Sequence, residues 1–520
     1  MNYADLFRVT LPETMLETAA LLVLIVDLGF LRKAALKVRV AMAALLGVAG
    51  CGAALWALQL QGKQWFTLSF DSAAPLLVTG AYVAVAQTGI LLLTALTLLL
   101  LIDSDFTKHV GEFVAVVLMS ASGALLVAGA QDLLVIFVGL ELLSLGLYIM
   151  TAFAKSSGKS AEAALKYYLF GGMSAAFLLF GFSYFYGLTG STSLNQIGYA
   201  VTEGGPLFYV AWIFVIAGLG FKMAAVPFHL WAPDTYEGAP APAAAFIASV
   251  SKIASFTLLI NICVFVLNVG PFEGQKDAVL RWMHEFYTAG ARLGGIVLLI
   301  ATASMLLGNL AALAQTSVRR LLAYSAIAHA GYILLGVAVH GSDVGALGPG
   351  NFILAFYHSQ LVSANAVLYY ILTYGLTTIG AFGVVDVVQR ATGSDRFDAF
   401  LGLHKRNPLL AGVLLVLFLS LAGIPPLVGF WAKFNLFAAV LGVSAGPVPF
   451  ALVALAVALS AVSLYYYLQV LKRAYVLPAV NDKPIHVHPV TMAVLLLIAA
   501  AVVVLGCFPA LLQGWIASFR

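Results

Sequence analysis

Fourteen predominantly apolar runs fill most of this chain, at about 14–31, 40–61, 79–102, 111–130, 132–153, 162–188, 207–231, 241–268, 293–313, 320–340, 364–388, 408–442, 448–471 and 489–514. Each is near the roughly 20 residues that a helix needs to cross a ~30 Å hydrocarbon core. The runs predict an all-α, polytopic integral membrane protein with about 14 transmembrane helices. Composition agrees, since 62% of the 520 residues are hydrophobic and only 9% are charged. An ordinary soluble domain carries about 25% charged residues, so this surface must face lipid. The run at 408–442 is too long for one straight span and predicts a broken or tilted helix. Two sizeable stretches, 269–292 and 341–363, are read as non-spanning.

The net charge of +4, with no long basic run, argues against nucleic acid as a partner. Cys51, Cys263 and Cys507 lie far apart, in or beside apolar runs. No CxxC or Cys/His spacing offers a metal or haem attachment site, so three inert thiols are expected. The polar, acidic opening MNYADLFRVTLPETMLETAA does not read as a cleavable signal peptide.

An even number of spans puts both termini on one side. Lys and Arg accumulate in cytoplasmic loops. With the termini outside, sixteen basic residues fall in cytoplasmic loops, against six on the outer side. The bias favours a periplasmic location for both termini, with the loops near 32–39, 155–161 and 390–406 inside.

Four lysines fall in no loop: Lys166, Lys222, Lys252 and Lys433. Lys252 lies ten residues beyond Pro242, about 15 Å into its helix. A charge at the bilayer centre costs at least ~2.5–3.5 kcal/mol, so each such lysine is a functional candidate against the plainer reading of a packing charge. Lys166 lies nearer the cytoplasmic face, where it can snorkel. Glu141, in FVGLELLSLGLYIM, is the acid that lies deepest in the helices with them. Glu162 precedes Lys166 by one turn, which places the two on one helix face. Burial lowers a lysine's proton affinity and a nearby carboxylate restores it, so a lysine row can pass a proton while each member reports its neighbour's charge.

Helix breakers flank two of the lysines. Lys222 lies in GLGFKMAAVPFHLW, five residues before Pro227, and Lys433 follows Pro425, Pro426 and Gly429. Proline removes a backbone donor and clashes with the preceding turn. Two broken helices in two halves of a chain are the pattern of internally repeated transporters. Lys433 is expected to mirror Lys222 in the other repeat. His229, in PFHLW, suits a capping or a proton-relay role equally. His329 lies about ten residues into its span; a proton relay is favoured over a structural hydrogen bond, because Lys252 and Lys433 belong to neighbouring spans.

The segments GEFVAVVLMSASGALLVAGAQDLLVIFVGLELLSLGLYIM, GLGFKMAAVPFHLWAPDTYEGAPAP, VRRLLAYSAIAHAGY, LSLAGIPPLVGFWAKF and SLYYYLQVLKRAY resemble the subunit N family of proton-translocating NADH:quinone oxidoreductase, respiratory complex I. The resemblance covers almost the whole chain. It implies fourteen helices with two inverted five-helix repeats, in a bacterial inner (plasma) membrane. The expected units are 1–110 with three helices, 111–268 and 269–473 as the repeats, and 474–520 as a loop and last helix. Carried over by motif, Glu141, Lys222, Lys252 and Lys433 form the proton relay, Glu162 and Lys166 match the sixth-helix pair, and His329 and His229 are secondary. The stretch 341–363 departs from the family as a longer outer connection.

The resemblance also implies proton pumping driven by quinone reduction elsewhere, and partnership with the other membrane and peripheral subunits of complex I. NADH, flavin, iron–sulfur clusters and quinone are then bound by those subunits. The chain itself carries no Gly-rich dinucleotide fingerprint and no cysteine cluster. Competing readings are a standalone cation/proton antiporter and a scaffold whose buried charges only fix packing.

Overall fold

The computed structural model describes residues 7–61, 66–71, 74–199, 205–266, 276–338, 349–443, 446–479 and 483–518. Its principal helices are α1 (Leu11–Ile25), α2 (Leu36–Gln61), α3 (Ala81–Leu101), α4 (Val110–Gly129), α5 (Leu133–Thr151), α6 (Gly158–Thr189), α7 (Pro206–Met223), α8 (Trp231–Gly238) and α9 (Ala241–Val266). They continue as α10 (Lys276–Leu313), α11 (Val318–Ala338), α12 (Pro349–Thr392), α13 (Pro408–Ala422), α14 (Val428–Val443), α15 (Pro447–Tyr475), α16 (Pro489–Cys507) and α17 (Pro509–Ser518). Among the described residues, twelve helices are long and apolar enough to cross a membrane. The first expected span is α1 continued by a π-type segment, Val26–Phe30. The span expected at 408–442 is split between α13 and α14.

The order of elements repeats. Two helices, a long helix, a broken pair and a closing helix run from α4 to α9, and the same order runs from α10 to α15. Five crossings are an odd number, so the second unit enters from the opposite side, as an inverted repeat does.

Hydrogen bonds gather the loops into two ends. Arg39 pairs with Asp27 at 2.7 Å, and Asp27 accepts from the Gly111 amide at 3.1 Å. Arg390 reaches Asp103 at 2.9 Å, and Arg320 reaches Asp234 at 2.6 Å. Every one of these contacts joins loops or helix ends that follow an odd-numbered span. At the other end, Gln61 donates to the carbonyls of Arg8 and Val9. There too, Thr192 donates to Asp132 at 2.5 Å.

The all-α reading holds, with local differences. A two-stranded antiparallel hairpin, Phe66–Asp71 with Ala74–Thr79, is a small addition to the helical bundle. Its alternation is short and was masked by the apolar spans around it. The stretches 269–292 and 341–363, read as non-spanning, are helical from Lys276 and from Pro349 and lead into the spans that follow, which does not contradict that reading; 269–275 and 341–348 lie outside the described residues. The run at 489–514 is interrupted at Phe508, before Pro509. Finally, depth along a helix is not burial. Asp27 at 1% and Glu13 at 7% exposure are more enclosed than Glu141, which is only half-buried.

Candidate functional site

The first break forms because α7 cannot continue through Pro227. The helix ends at Ala224 in left-handed backbone (φ 58°), and the Ala225 amide folds back onto the Gly220 carbonyl at 2.8 Å. Lys222 therefore stands in the last turn of α7, 8% exposed. Its ammonium donates to the Ser144 hydroxyl of α5 and lies 3.5 Å from the Tyr148 hydroxyl. Glu141 forms no ion pair with it. The carboxylate acts electrostatically on both Lys222 and Tyr148 without touching either. Glu141 shares its helix face with Leu134, Val138, Leu145 and Ile149, all of which are exposed at the rim of the bundle.

The second break lies between Gly423 and Leu427, with Lys433 beyond it on α14. Gly429 is required here, because a Cβ would fall 1.8 Å from the Ser420 carbonyl oxygen. Interruption frees carbonyls at the end of α13, and Lys433 takes two of them: its Nζ donates to Leu421 at 3.1 Å, to Ala422 at 2.9 Å and to the Ser460 hydroxyl at 2.8 Å. A helix C-terminus carries partial negative charge, so these carbonyls solvate an ammonium well. Lys433 does not mirror Lys222 residue for residue. Lys222 precedes its break and Lys433 follows its own, so each break presents its lysine from a different half-helix.

Lys252 sits in the unbroken α9, 2% exposed. Its Nζ donates to the Ala326 carbonyl of α11 at 2.6 Å and stands 5.6 Å from the centre of the Tyr374 ring. This contact crosses from the first repeat to the second. His329, one turn beyond Ala326, shares a 2.7 Å hydrogen bond through Nδ1 with the Tyr370 hydroxyl. Lys252 and Lys433 both act electrostatically on His329. Tyr332 completes the group, with its ring 5.5 Å from the Lys433 ammonium and its hydroxyl 3.1 Å from Asn309.

The remaining site residues lie elsewhere. Lys166 is not in the buried row. Its side chain is 40% exposed and pairs with Glu162 and Asp234, each at 2.7 Å, as snorkelling allows. His229 is buried in the turn between α7 and α8, with Nδ1 unpartnered among the described residues. The structure thus makes two buried groups, Lys222–Ser144–Tyr148 beside Glu141 and Lys252–His329–Lys433 with its tyrosines. Among the described residues no hydrogen bond links the two groups directly. Sequence reasoning missed Ser144, Tyr148, Tyr370, Tyr374 and Ser460. The signals were present in part: Ser144 and Tyr148 follow Glu141 at i+3 and i+7, and Tyr370 and Tyr374 are one turn apart.

Two interrupted helices and a row of buried lysines held only by hydroxyls and carbonyls define an ion-translocating, broken-helix class of membrane protein. Comparison places it further. The family described as NADH:quinone oxidoreductase/Mrp antiporter, TM, matches residues 130–275, 277–348 and 344–462. NADH-quinone oxidoreductase subunit N 2 of Acidobacterium capsulatum is 45% identical over 99% of both chains. A chain of respiratory complex I from Thermus thermophilus with bound aureothin superposes with a TM-score of 0.74 at 31% identity, covering 97% of this chain and 98% of that one. A chain of the Mrp complex from Dietzia sp. shares the fold, with a TM-score of 0.77 at 20% identity over 100% of this chain and 97% of its own. The chain belongs to the NADH:quinone oxidoreductase/Mrp antiporter transmembrane family.

Proposed function

We propose that this chain is the proton-translocating subunit N of a bacterial NADH:quinone oxidoreductase and moves protons through Glu141, Lys222, Lys252, His329 and Lys433. The observation that carries the reading is the solvation of the three buried lysines. Each ammonium is held by neutral hydroxyls or carbonyls, with no carboxylate within ion-pair distance among the described residues. A buried ammonium solvated this way can lose its proton without leaving an orphaned anion, whereas a packing charge is normally paired. The relatives' names carry the association with NADH:quinone oxidation. A standalone antiporter is disfavoured because the 45% relative, matched end to end, is a subunit of that oxidoreductase.

In this reading the relay runs from Glu141 through the hydroxyls to Lys222, and from Lys252 through His329 to Lys433. The first repeat spans 111–268 and the second 269–473, between three leading helices in 1–110 and the 474–520 tail. Glu162, Lys166 and His229 serve at the mouths of the path. Redox chemistry, with NADH, flavin, iron–sulfur clusters and quinone, belongs to partner subunits. The charge bias puts both termini on the periplasmic side of the plasma membrane. A cysteine introduced at position 35 should then react with a membrane-impermeant thiol reagent only from the cytoplasmic side.

The test is the reconstituted complex carrying Lys222→Met or Lys252→Met. We expect intact subunit composition with lower proton uptake per NADH oxidised. Wild-type uptake in both variants overturns the relay.

A further inference from the structure

We infer that Asp234 is a positioning residue for proton transfer: with Arg320 it fastens the half-helix α8, and through Trp231 the turn that carries Lys222, to the second-repeat helix that carries His329. The inference deepens the proposed function and rests on the reading of Lys222 as a proton carrier.

The break leaves α8 as eight residues, roughly 12 Å of helix, with no backbone ladder joining it to α7. Its position is set by side chains. At its start, the Trp231 indole N–H donates to the Phe221 carbonyl at 2.9 Å, in the residue before Lys222. The same indole stacks flat on Tyr167 of α6, with centroids 4.3 Å apart and planes 8° apart. Along α8, Asp234 receives two cations at once: Lys166 of α6 at 2.7 Å and Arg320 of α11 at 2.6 Å. Glu237, one turn on, takes Arg320 at 3.0 Å and Lys159 at 3.0 Å. Arg319, the residue before, is buried and donates to the Ala239 carbonyl that ends α8. At Gly238 a Cβ would come within 2.6 Å of the Lys159 carbonyl oxygen, so α8 and α6 are in backbone contact.

The polar fastenings of α8 thus face the Lys222 turn, α6 or the first turn of α11, while the Tyr236 ring packs on Phe382 of α12. Helix α11 continues rigidly to Ala326, the acceptor of Lys252, and to His329. A shift of the Lys222 turn therefore reaches the Lys252–His329 group through α8, although no hydrogen bond joins the two groups directly. A single surface ion pair is worth little, but a carboxylate gripped by one cation from each repeat fixes register between two bodies.

The experiment is NADH oxidation and proton uptake by the purified complex in proteoliposomes, for wild type, Lys222→Met, Asp234→Asn, Asp234→Glu and Arg320→Gln. Asp234→Asn should assemble and oxidise NADH, while protons moved per electron fall about twofold or more. Asp234→Glu should restore the ratio. Arg320→Gln should lower it similarly, and the Asp234→Asn/Arg320→Gln pair should be no worse than either alone, because both act through one contact. A purely structural role would reduce the amount of complex recovered and leave the ratio unchanged. Wild-type stoichiometry in Asp234→Asn beside an impaired Lys222→Met overturns the inference alone. Wild-type stoichiometry in Lys222→Met overturns the underlying reading. Should Asp234→Asn not assemble, Trp231→Phe decides, since it keeps the stack and removes the donor to Phe221: the same fall supports the inference and an unchanged ratio overturns it.

Discussion

Lys222 donates a hydrogen bond to the hydroxyl of Ser144, one turn along the same helix from Glu141, and not to the Glu141 carboxylate. A serine between an acid and a lysine makes their coupling indirect. The carboxylate sets the field, and the hydroxyl makes the contact.

Glu141→Gln and Ser144→Ala should therefore differ. Glu141→Gln removes the field but leaves the ammonium hydrogen-bonded, so the complex assembles and proton uptake falls. Ser144→Ala withdraws an acceptor from a buried charged donor, at a cost of about 1–3 kcal/mol. Thermal unfolding of the detergent-purified complex should show a lower midpoint for Ser144→Ala than for Glu141→Gln. Equal midpoints with equal pumping would remove Ser144 from the path.

Lys433→Arg is expected not to pump. The break carbonyls of Leu421 and Ala422 accommodate a cation, so the variant should assemble. Arginine is effectively always protonated, however, and cannot deliver its proton. Proton uptake per electron is the measurement. Wild-type uptake in this variant would falsify the carrier role and leave a purely electrostatic one.

Gly429→Ala tests the geometry of the second break. The new Cβ would lie 1.8 Å from the Ser420 carbonyl oxygen, which is backbone and cannot swing aside. Overpacking of this kind costs about 1–3 kcal/mol and often more. The yield of assembled complex and its unfolding midpoint should both fall. Gly412→Ala, where nothing lies within 4 Å, serves as the control and should behave as wild type.

The clamp on α8 should weaken in acid. Burial alone would raise the Asp234 carboxyl, but the hydrogen bonds from Lys166 and Arg320 hold it below its usual range. Burial likewise opposes Arg320 and Lys159 at Glu237, and the cations prevail there too. A carboxyl whose folded pKa is depressed contributes stability above its unfolded value, and that stability is lost as pH falls through the folded value. The clamp is accordingly complete at neutral pH and released only below about pH 4. Protease sensitivity of the 231–240 segment, followed from pH 7 downward, should rise in that acid range and stay flat above it. In Asp234→Asn the rise should be smaller.

By itself the sequence determined that this chain lives in a bilayer, about how many times it crosses, and where the two lysine-bearing helices break. Those are one-dimensional properties: an apolar run of span length has no stable place in water, and proline cannot continue a helix. It also singled out Lys222, Lys252 and Lys433, because a charge inside such a run has no cheap explanation. Sequence could not supply the partners. Whether Lys166 is buried depends on how far its stem reaches toward Asp234, and Asp234 lies 68 residues away along the chain. The carbonyls that hold Lys433 come from a neighbouring half-helix, and the acceptor of Lys252 is 74 residues distant on α11. Tertiary structure also reversed the ranking of the acids, leaving Glu141 at the rim while Asp27 is enclosed by Arg39 and Gly111. Depth along a helix is written in the sequence; which side of the helix faces the protein is decided only when another helix packs against it.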